Sequence, residues 1–186
     1  MSAYPKGQIQ TVSGPIAPQA LGPTLMHEHI FLDIVPPELA AEERDWPELT
    51  LDNLWEIAHL SLDYAPKFRL DEPDVARAEV ARVGAVGGAM VELTNTGIKP
   101  QPEAVRLVSE QTGVPIVMGS GNYVEAYQDA SFASATVDQL AAEIMTQLAE
   151  GAWGSDVRSG IIGEIGCQSP WTENEQRAMC AAVVAQ

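Results

Sequence analysis

Short apolar runs alternate with longer amphipathic stretches along this chain. Four of the runs predict β-strands: residues 23–31 (PTLMHEHIF), 89–95 (AMVELTN), 114–119 (VPIVMG) and 160–166 (GIIGEIG). The run at 114–119 is apolar throughout, which is typical of a strand covered on both faces. Ahead of these strands, the Gly14-Pro15 pair within residues 8–16 predicts the turn of a small hairpin.

Helical patterns lie between the predicted strands. The first covers residues 51–64, where these apolar positions recur at helical spacing: Leu51, Leu54, Trp55, Ala58 and Leu62. Pro73 and Pro102 suit the first turn of two further helices, which the Gly87-Gly88 pair and Gly113 would end. These patterns place helices after the first and second strands.

Two capping boxes mark the last helices. Thr136 with Gln139 begins a pattern that Gly151 ends, and Thr172 with Glu175 begins another that continues to the last residue. Strands that alternate with helices predict an α/β fold with a parallel sheet and right-handed crossovers. A barrel and a doubly wound sheet both satisfy this pattern, and periodicity does not choose between them.

Composition narrows the class of protein. The 186 residues, 46% of them apolar, suffice for one domain over residues 1–186 and are too few for two ordinary domains. The formal net charge of -16 would repel nucleic acid and anionic membranes, so we expect neither as a partner. There is no apolar run of membrane-spanning length and no signal-like start, and two cysteines do not make a disulfide framework. We therefore expect a cytoplasmic protein with reduced thiols.

Three side chains on two of the predicted strands are candidate metal ligands. His27 and His29 are two residues apart, so both imidazoles point to one side of a strand. That spacing suits one metal ion, and two half-buried strand histidines would show the same pattern. Glu164 is a carboxylate in an apolar strand, where a buried charge needs a partner. A metal would satisfy it, and so would an arginine such as Arg158.

Segments along most of the chain resemble one enzyme family. The segment LGPTLMHEHIFLD at 21–33 is similar to the N-terminal metal motif of the phosphotriesterase family, within the amidohydrolase superfamily. The resemblance continues in ELTNTGI at 92–98, TGVPIVMGSGNYV at 112–124 and GIIGEIGCQSPWTENEQ at 160–176. These segments follow the order of the family.

The resemblance implies a (β/α)8 TIM barrel of the metal-dependent hydrolase type, with its site at the C-terminal ends of the strands. It implies two divalent metal ions, which we expect to be zinc, with His27 and His29 on one ion and Glu164 bridging both. We expect the three residues on one side of neighbouring strands. The family takes further ligands from later strands, and a barrel needs about 250 residues. We therefore expect only about the first four βα units, the N-terminal portion of a longer protein.

For other residues near the motifs, an ordinary structural role is an alternative to a role in the site. Tyr123 resembles a tyrosine that reaches toward the bridging hydroxide in related lactonases, and the alternative is an aromatic ring packed over the barrel mouth. We leave His59 on its helix, and Cys167 without a nearby basic group in sequence, out of the site. Glu28 alternates to the face opposite the histidines, where we expect an ion-pair or hydrogen-bond partner.

The implied function of the full-length protein is hydrolysis of a small-molecule substrate. A hydroxide held by two metals would attack an ester, lactone, amide or phosphotriester. Glu164 stands where the best-known phosphotriesterases have a carboxylated lysine, which argues against organophosphate substrates. Two alternatives stay open: a metal-dependent deoxyribonuclease of the same superfamily, and a non-catalytic half-barrel that persists by self-association into a homo-oligomer.

Overall fold

The computed structural model describes residues 6–40, 44–60 and 63–186. The strands in that part of the chain are β1 (Ile9–Thr11), β2 (Gly14–Ile16), β3 (Thr24–Glu28), β4 (Leu32–Asp33), β5 (Arg69–Leu70), β6 (Ala89–Glu92), β7 (Ile116–Ser120) and β8 (Ile161–Ile162). The α-helices are α1 (Pro37–Ala40), α2 (Leu54–His59), α3 (Pro73–Gly84), α4 (Pro102–Thr112), α5 (Ala130–Ser134), α6 (Val137–Ala149) and α7 (Glu173–Ala185).

Four of the strands form one parallel sheet. Their order is β3-β6-β7-β8, and each neighbouring pair is parallel. α3 lies between β3 and β6 in the chain, α4 between β6 and β7, and α6 between β7 and β8, so every crossover carries a helix. The expected α/β fold is confirmed, as is the position of the strand predicted at 114–119 beside the one predicted at 89–95.

The main core lies between this sheet and the first crossover helices. Met90 of β6 and Ile116 of β7 pack with Val80 of α3 and Val105 of α4. Val91 of β6 and Val117 of β7 belong to a smaller cluster on the other face of the sheet strands. That cluster also contains Ile9 and Leu21, which precede β3 in the chain. All five residues of β7 are buried. Both faces of this strand are therefore covered, as its apolar sequence predicts.

The longer helices begin and end close to their predicted positions. Gly113 follows α4 with φ 71°, the left-handed conformation that glycine adopts most easily. Thr136 and Thr172 cap α6 and α7, and both capping boxes are formed. Within the described ranges, no helix has the length and apolar character needed to cross a membrane.

The predicted hairpin turn is wrong by two residues. Gly14 pairs with Thr11 and begins β2, so the turn is formed by Val12 and Ser13, and the Gly14-Pro15 pair lies within the second strand. The Thr11 hydroxyl explains the shift, because it donates to the Gly14 carbonyl at 2.6 Å and accepts from the Ser13 amide at 3.3 Å. This side chain stabilises the earlier turn.

The helix predicted over residues 51–64 is much shorter. α2 covers Leu54–His59, and Ile57 is its buried residue. Leu51 and Trp55 are exposed, so the apolar face seen in the sequence does not pack against the sheet. Leu62, which belonged to the same pattern, lies outside the described residues. Without tertiary packing to support it, the amphipathic pattern extends over less than two turns.

Candidate metal centre

The three candidate ligands come from the two outer strands of the sheet. His27 lies in β3, His29 directly follows it, and Glu164 lies two residues after β8. Because β3 and β8 are at opposite edges of the four strands, they are not neighbours, contrary to our expectation. Their ends meet only if the sheet curves. The ligand cluster therefore depends on barrel-like curvature rather than on strand adjacency.

Side-chain atoms of the three residues converge. His27 Nε2 lies 2.9 Å from Glu164 Oε2, and His29 Nε2 lies 4.0 Å from Glu164 Oε1. One ligand atom from each residue lies within 4.8 Å of the other two. The His27 side chain is 58% exposed and that of Glu164 is 18% exposed, so the cluster opens to solvent on the His27 side. Arg158, the alternative partner for Glu164, contacts Gln10.

A bulge in β3 lies between Leu25 and Glu28, a stretch that includes His27. Leu25 pairs with Met90 and Glu28 with Glu92, so three residue steps on β3 oppose two steps on β6. A bulge of this kind bends a strand and redirects the side chains that follow it. The two imidazole rings are edge-to-face, with centroids 5.4 Å apart, and both lie toward Glu164.

Close backbone contacts hold the segment that carries Glu164. Gly163 ends the extended strand with φ 129°, a conformation that other L-residues rarely adopt. A Cβ at Gly121 would lie 2.4 Å from the Glu164 carbonyl oxygen, so this approach requires glycine. Asn95 Nδ2 donates to the same oxygen at 2.5 Å. Segments that follow β6 and β7 thus position the Glu164 backbone.

Burial shapes the protonation of the cluster. Burial raises the pKa of the Glu164 carboxyl group, and the neighbouring His27 opposes that rise. Burial, followed by the nearby His27, lowers the pKa of His29. Glu164 Oε1 is buried and has no hydrogen-bond partner among the described residues. Two neutral imidazoles and a carboxylate are donors that zinc accepts, and a dication would satisfy the unpaired oxygen, so these residues fit a metal ion.

Comparison with known proteins identifies the family. A profile of the phosphotriesterase family matches residues 7–186. The chain belongs to the phosphotriesterase family. This membership favours our first interpretation of the His-x-His and Gly-Glu motifs over the deoxyribonuclease branch of the superfamily.

Known proteins match this chain over almost its whole length, in sequence or in structure. The N-acetyltaurine hydrolase of Xenopus tropicalis is 36% identical over an alignment of 187 positions, which covers 97% of this chain and 53% of that protein. A resiniferatoxin-binding protein from Rhodobacter sphaeroides superposes with a TM-score of 0.85 at 37% identity, covering 97% of this chain and 52% of that one. An organophosphorus hydrolase from Deinococcus radiodurans superposes with a TM-score of 0.71 at 25% identity, covering 97% and 50% respectively.

The chain spans about half the length of these relatives. The four parallel strands and their helices therefore match about half of the family's barrel, as we expected from the sequence. Within the described residues, the cluster of His27, His29 and Glu164 is the group whose geometry could hold a metal ion. Three protein ligands suit one catalytic metal and leave a second ion with only the bridging carboxylate.

Tyr123 lies in the loop after β7, near the cluster. Burial, followed by the negative charge of Glu164, raises the pKa of its hydroxyl group. Its ring also packs edge-to-face against Tyr127, with centroids 5.3 Å apart. The structure therefore brings Tyr123 into the electrostatic range of Glu164 and into aromatic packing at the same time.

The residues left out of the site are not among the three side chains that converge. His59 is exposed on α2, where its ring contacts Trp55. Burial raises the pKa of the Cys167 thiol, which makes it a poor nucleophile. Glu28 lines a cavity of about 350 Å³ together with Arg69, and its side chain forms no hydrogen bond with any described residue. The partner expected for Glu28 is therefore not found in this part of the chain.

Glu92 is a buried acid that the sequence analysis passed over. It is 1% exposed, and its two carboxylate oxygens accept from the backbone amides of Ile30 at 3.3 Å and Thr94 at 3.2 Å. Burial raises its pKa from the usual 4.5 to about 8. The signal was available, because AMVELTN places a carboxylate in an apolar strand just as GIIGEIG does. In the family resemblance, Glu92 is simply the first residue of the segment ELTNTGI.

Because the pKa of Glu92 is raised in the folded chain, we expect the free energy of unfolding to decrease as pH rises. The folded chain holds this proton more tightly than the unfolded chain, so stability is lost as pH rises from about 4.5 to about 8. A shift of this size corresponds to roughly 5 kcal/mol over that range. Denaturant unfolding at pH 5 and pH 9 should show this loss, and Glu92→Gln should flatten the dependence because it has no titrating group there. Equal pH slopes for the two proteins would contradict the assignment.

Glu175 is a second buried acid whose role was only half predicted. It completes the capping box of α7, as expected, but it is 0% exposed and has further partners. Its Oε1 accepts from the Glu125 amide at 3.1 Å, and its Oε2 accepts from the amides of Gln168 at 3.1 Å and Thr172 at 3.2 Å. This carboxylate joins the loop after β7, which carries Tyr123, to the loop that follows Glu164.

Proposed function

We propose that the full-length protein is a metal-dependent hydrolase whose active site includes His27, His29 and Glu164. The observation that carries this proposal is the convergence of the three side chains, with one buried carboxylate oxygen to which no described residue donates a hydrogen bond. We expect two divalent ions, zinc in both positions. His27 and His29 would hold one ion, and Glu164 would bridge both. The remaining ligands would come from the part of the barrel that this chain does not span.

Bound dications of this kind lower the pKa of water and polarise a carbonyl or phosphoryl oxygen, which permits hydrolysis of esters, lactones, amides or phosphotriesters. The chain's own residues prepare for this chemistry. The lowered pKa of His29 keeps its imidazole neutral near pH 7, the form in which histidine binds metals. The contacts of Gly121 and Asn95 with the Glu164 backbone limit how far the carboxylate can move during the reaction.

Tyr123 is the second catalytic residue that we propose. Because its pKa is raised, its hydroxyl group stays protonated at neutral pH and can donate a hydrogen bond. A donor beside Glu164 would stabilise negative charge that develops on a substrate oxygen. The packing of its ring against Tyr127 would restrict the direction of that hydroxyl group.

Among the four bond types, an amide is the substrate that we favour. Curated relatives with 32–36% identity are N-acetyltaurine hydrolases by name, which implies cleavage of an acetamide. By the family resemblance, Glu164 stands where phosphotriesterases have the modified lysine, so we expect phosphotriesters least among the substrates. We therefore propose small N-acetyl amides as the first substrate class to examine.

The test compares the full-length protein with the 186-residue chain. Elemental analysis should find two divalent ions per full-length molecule and at most one on the chain, because the chain offers three ligands. Turnover of N-acetyltaurine should exceed that of a lactone and a phosphotriester, and the chain alone should show none. A metal-free full-length protein that retains turnover would contradict the mechanism. A metal-loaded full-length protein with no turnover on any of the three would favour the non-catalytic alternative.

A further inference from the structure

The side-chain amide of Gln128 joins the loop after β7 to the loop after β6. Its Nε2 atom donates to the backbone carbonyl of Thr96 at 2.8 Å and to the backbone carbonyl of Tyr123 at 2.9 Å. An amide nitrogen of this kind carries two protons, so each carbonyl can receive one of them. The direction of both hydrogen bonds is fixed, because a carbonyl oxygen only accepts and the amide oxygen of Gln128 could not donate in its place.

Gly97 makes room for this amide group. A Cβ atom at Gly97 would lie 2.6 Å from Gln128 Nε2 and 3.2 Å from Gln128 Cδ, closer than side chains normally approach each other. Gly97 also has a φ of 107°, a conformation that residues with a side chain rarely adopt. The loop after β6 therefore has the shape that close approach of Gln128 requires.

Two further contacts hold the residue that Gln128 reaches. The Tyr123 amide donates to the same Thr96 carbonyl at 2.9 Å, so the backbone N–H and C=O groups of Tyr123 are both bonded. The Tyr123 ring packs against Tyr127, whose hydroxyl group donates to the Ile34 carbonyl at 3.1 Å. Gln128 is the side chain that bonds the Tyr123 backbone and the neighbouring loop at once.

We propose that Gln128 is a positioning residue that fixes the backbone of Tyr123 and thereby limits where its hydroxyl group can lie. The catalytic value of this role rests on the proposed function, in which Tyr123 donates a hydrogen bond beside Glu164. The fixed loop does not depend on that function. Gln128 is only partly buried, so water can replace its protons at both carbonyls. Its loss should therefore cost little overall stability and mainly loosen Tyr123.

Hydrogen exchange followed by mass spectrometry tests the loop without an assay of activity. Gln128→Ala removes both donors, and Gln128→Glu keeps the shape but places an ionised carboxylate, which only accepts, against two carbonyl oxygens. In the full-length protein, peptides that contain Tyr123 should exchange about 10-fold faster in either variant, the effect of losing a hydrogen bond of ordinary strength. Peptides of the buried strand β7 should exchange as before. Gln111→Glu, at an exposed position of α4, adds the same charge and should change neither.

A double-mutant cycle tests whether Gln128 acts through Tyr123. In the metal-loaded full-length protein, Tyr123→Phe should lower kcat for N-acetyltaurine about 100-fold, the lower end of the range for a lost oxyanion donor. Gln128→Ala should lower kcat about 10-fold with KM unchanged, because displacing a group that acts in the transition state reduces kcat. In the Tyr123→Phe background, Gln128→Ala should have no further effect, since no hydroxyl group is left to position. Gln111→Ala should leave kcat unchanged in both backgrounds.

Three results would overturn the proposal. Unchanged exchange around Tyr123 in both folded Gln128 variants would show that the amide does not hold the loop. Faster exchange in β7 as well would mean that the variants loosen the sheet rather than this loop. An equal loss of kcat with and without the Tyr123 hydroxyl group would show that Gln128 acts by another route.

Failure of the proposed function would give a different result. If Tyr123→Phe keeps full kcat, the catalytic role of Tyr123 is refuted, and with it the catalytic value of Gln128. Hydrogen exchange then still decides whether Gln128 fixes the loop. Because Gln128→Ala adds no charge, it keeps both tests available if the carboxylate of Gln128→Glu disturbs folding.

Discussion

Replacing Glu164 by glutamine is expected to weaken zinc binding by more than about 100-fold, beyond the loss caused by residues that only support ligands. The amide keeps the shape of the side chain and removes the negative charge that attracts the ion. It also puts a neutral amide atom in place of the carboxylate oxygen that lies 2.9 Å from His27 Nε2. In the full-length protein, turnover should fall with the metal content. Chelator competition and elemental analysis measure the first effect, and steady-state kinetics measures the second.

Glu28→Gln is the matched control for this experiment. Glu28 lies between the two histidines in the sequence but is not part of the ligand cluster. If general acidity attracted the ion, both variants would lose affinity to a similar degree. We expect Glu28→Gln to stay within a few-fold of the unmodified protein. A Glu164→Gln protein that keeps its metal would exclude Glu164 as a ligand.

Replacing Glu175 by alanine should lower the free energy of unfolding by about 3–5 kcal/mol, because each buried donor left unpaired costs about 1–3 kcal/mol. The substitution removes the acceptor for the amides of Glu125, Gln168 and Thr172 together. It also removes the capping box of α7. Urea unfolding at pH 7, followed by circular dichroism, measures the change.

Glu173→Ala is the control for Glu175→Ala. Glu173 lies in the first turn of the same helix but is exposed, so its replacement should cost less than about 1 kcal/mol through the helix dipole. A similar small loss in both variants would mean that the buried hydrogen bonds of Glu175 add nothing beyond capping. The large difference that we expect would establish Glu175 as the link between the two loops that flank the cluster.

Local patterns determined the elements of this fold because their physical causes are local. The capping boxes at Thr136 and Thr172 and the glycine after α4 formed as predicted, since each depends on residues within one helical turn. The alternation that puts His27 and His29 on one side of a strand is equally local. Where packing was needed, the same patterns were less reliable. The helix expected over residues 51–64 shortened to Leu54–His59 because its apolar face found no partner.

The residue types in the motifs indicate which side chains could bind a metal, but packing between distant segments brings those side chains together. His27 and Glu164 are far apart in the chain and lie at opposite edges of the sheet, so only its curvature brings Nε2 and Oε2 to 2.9 Å. The partners of Glu175 and the contact of Thr94 with His29 also join separate strands and loops. No periodicity reports such contacts, because burial and hydrogen-bond pairing between distant segments depend on how the whole chain packs.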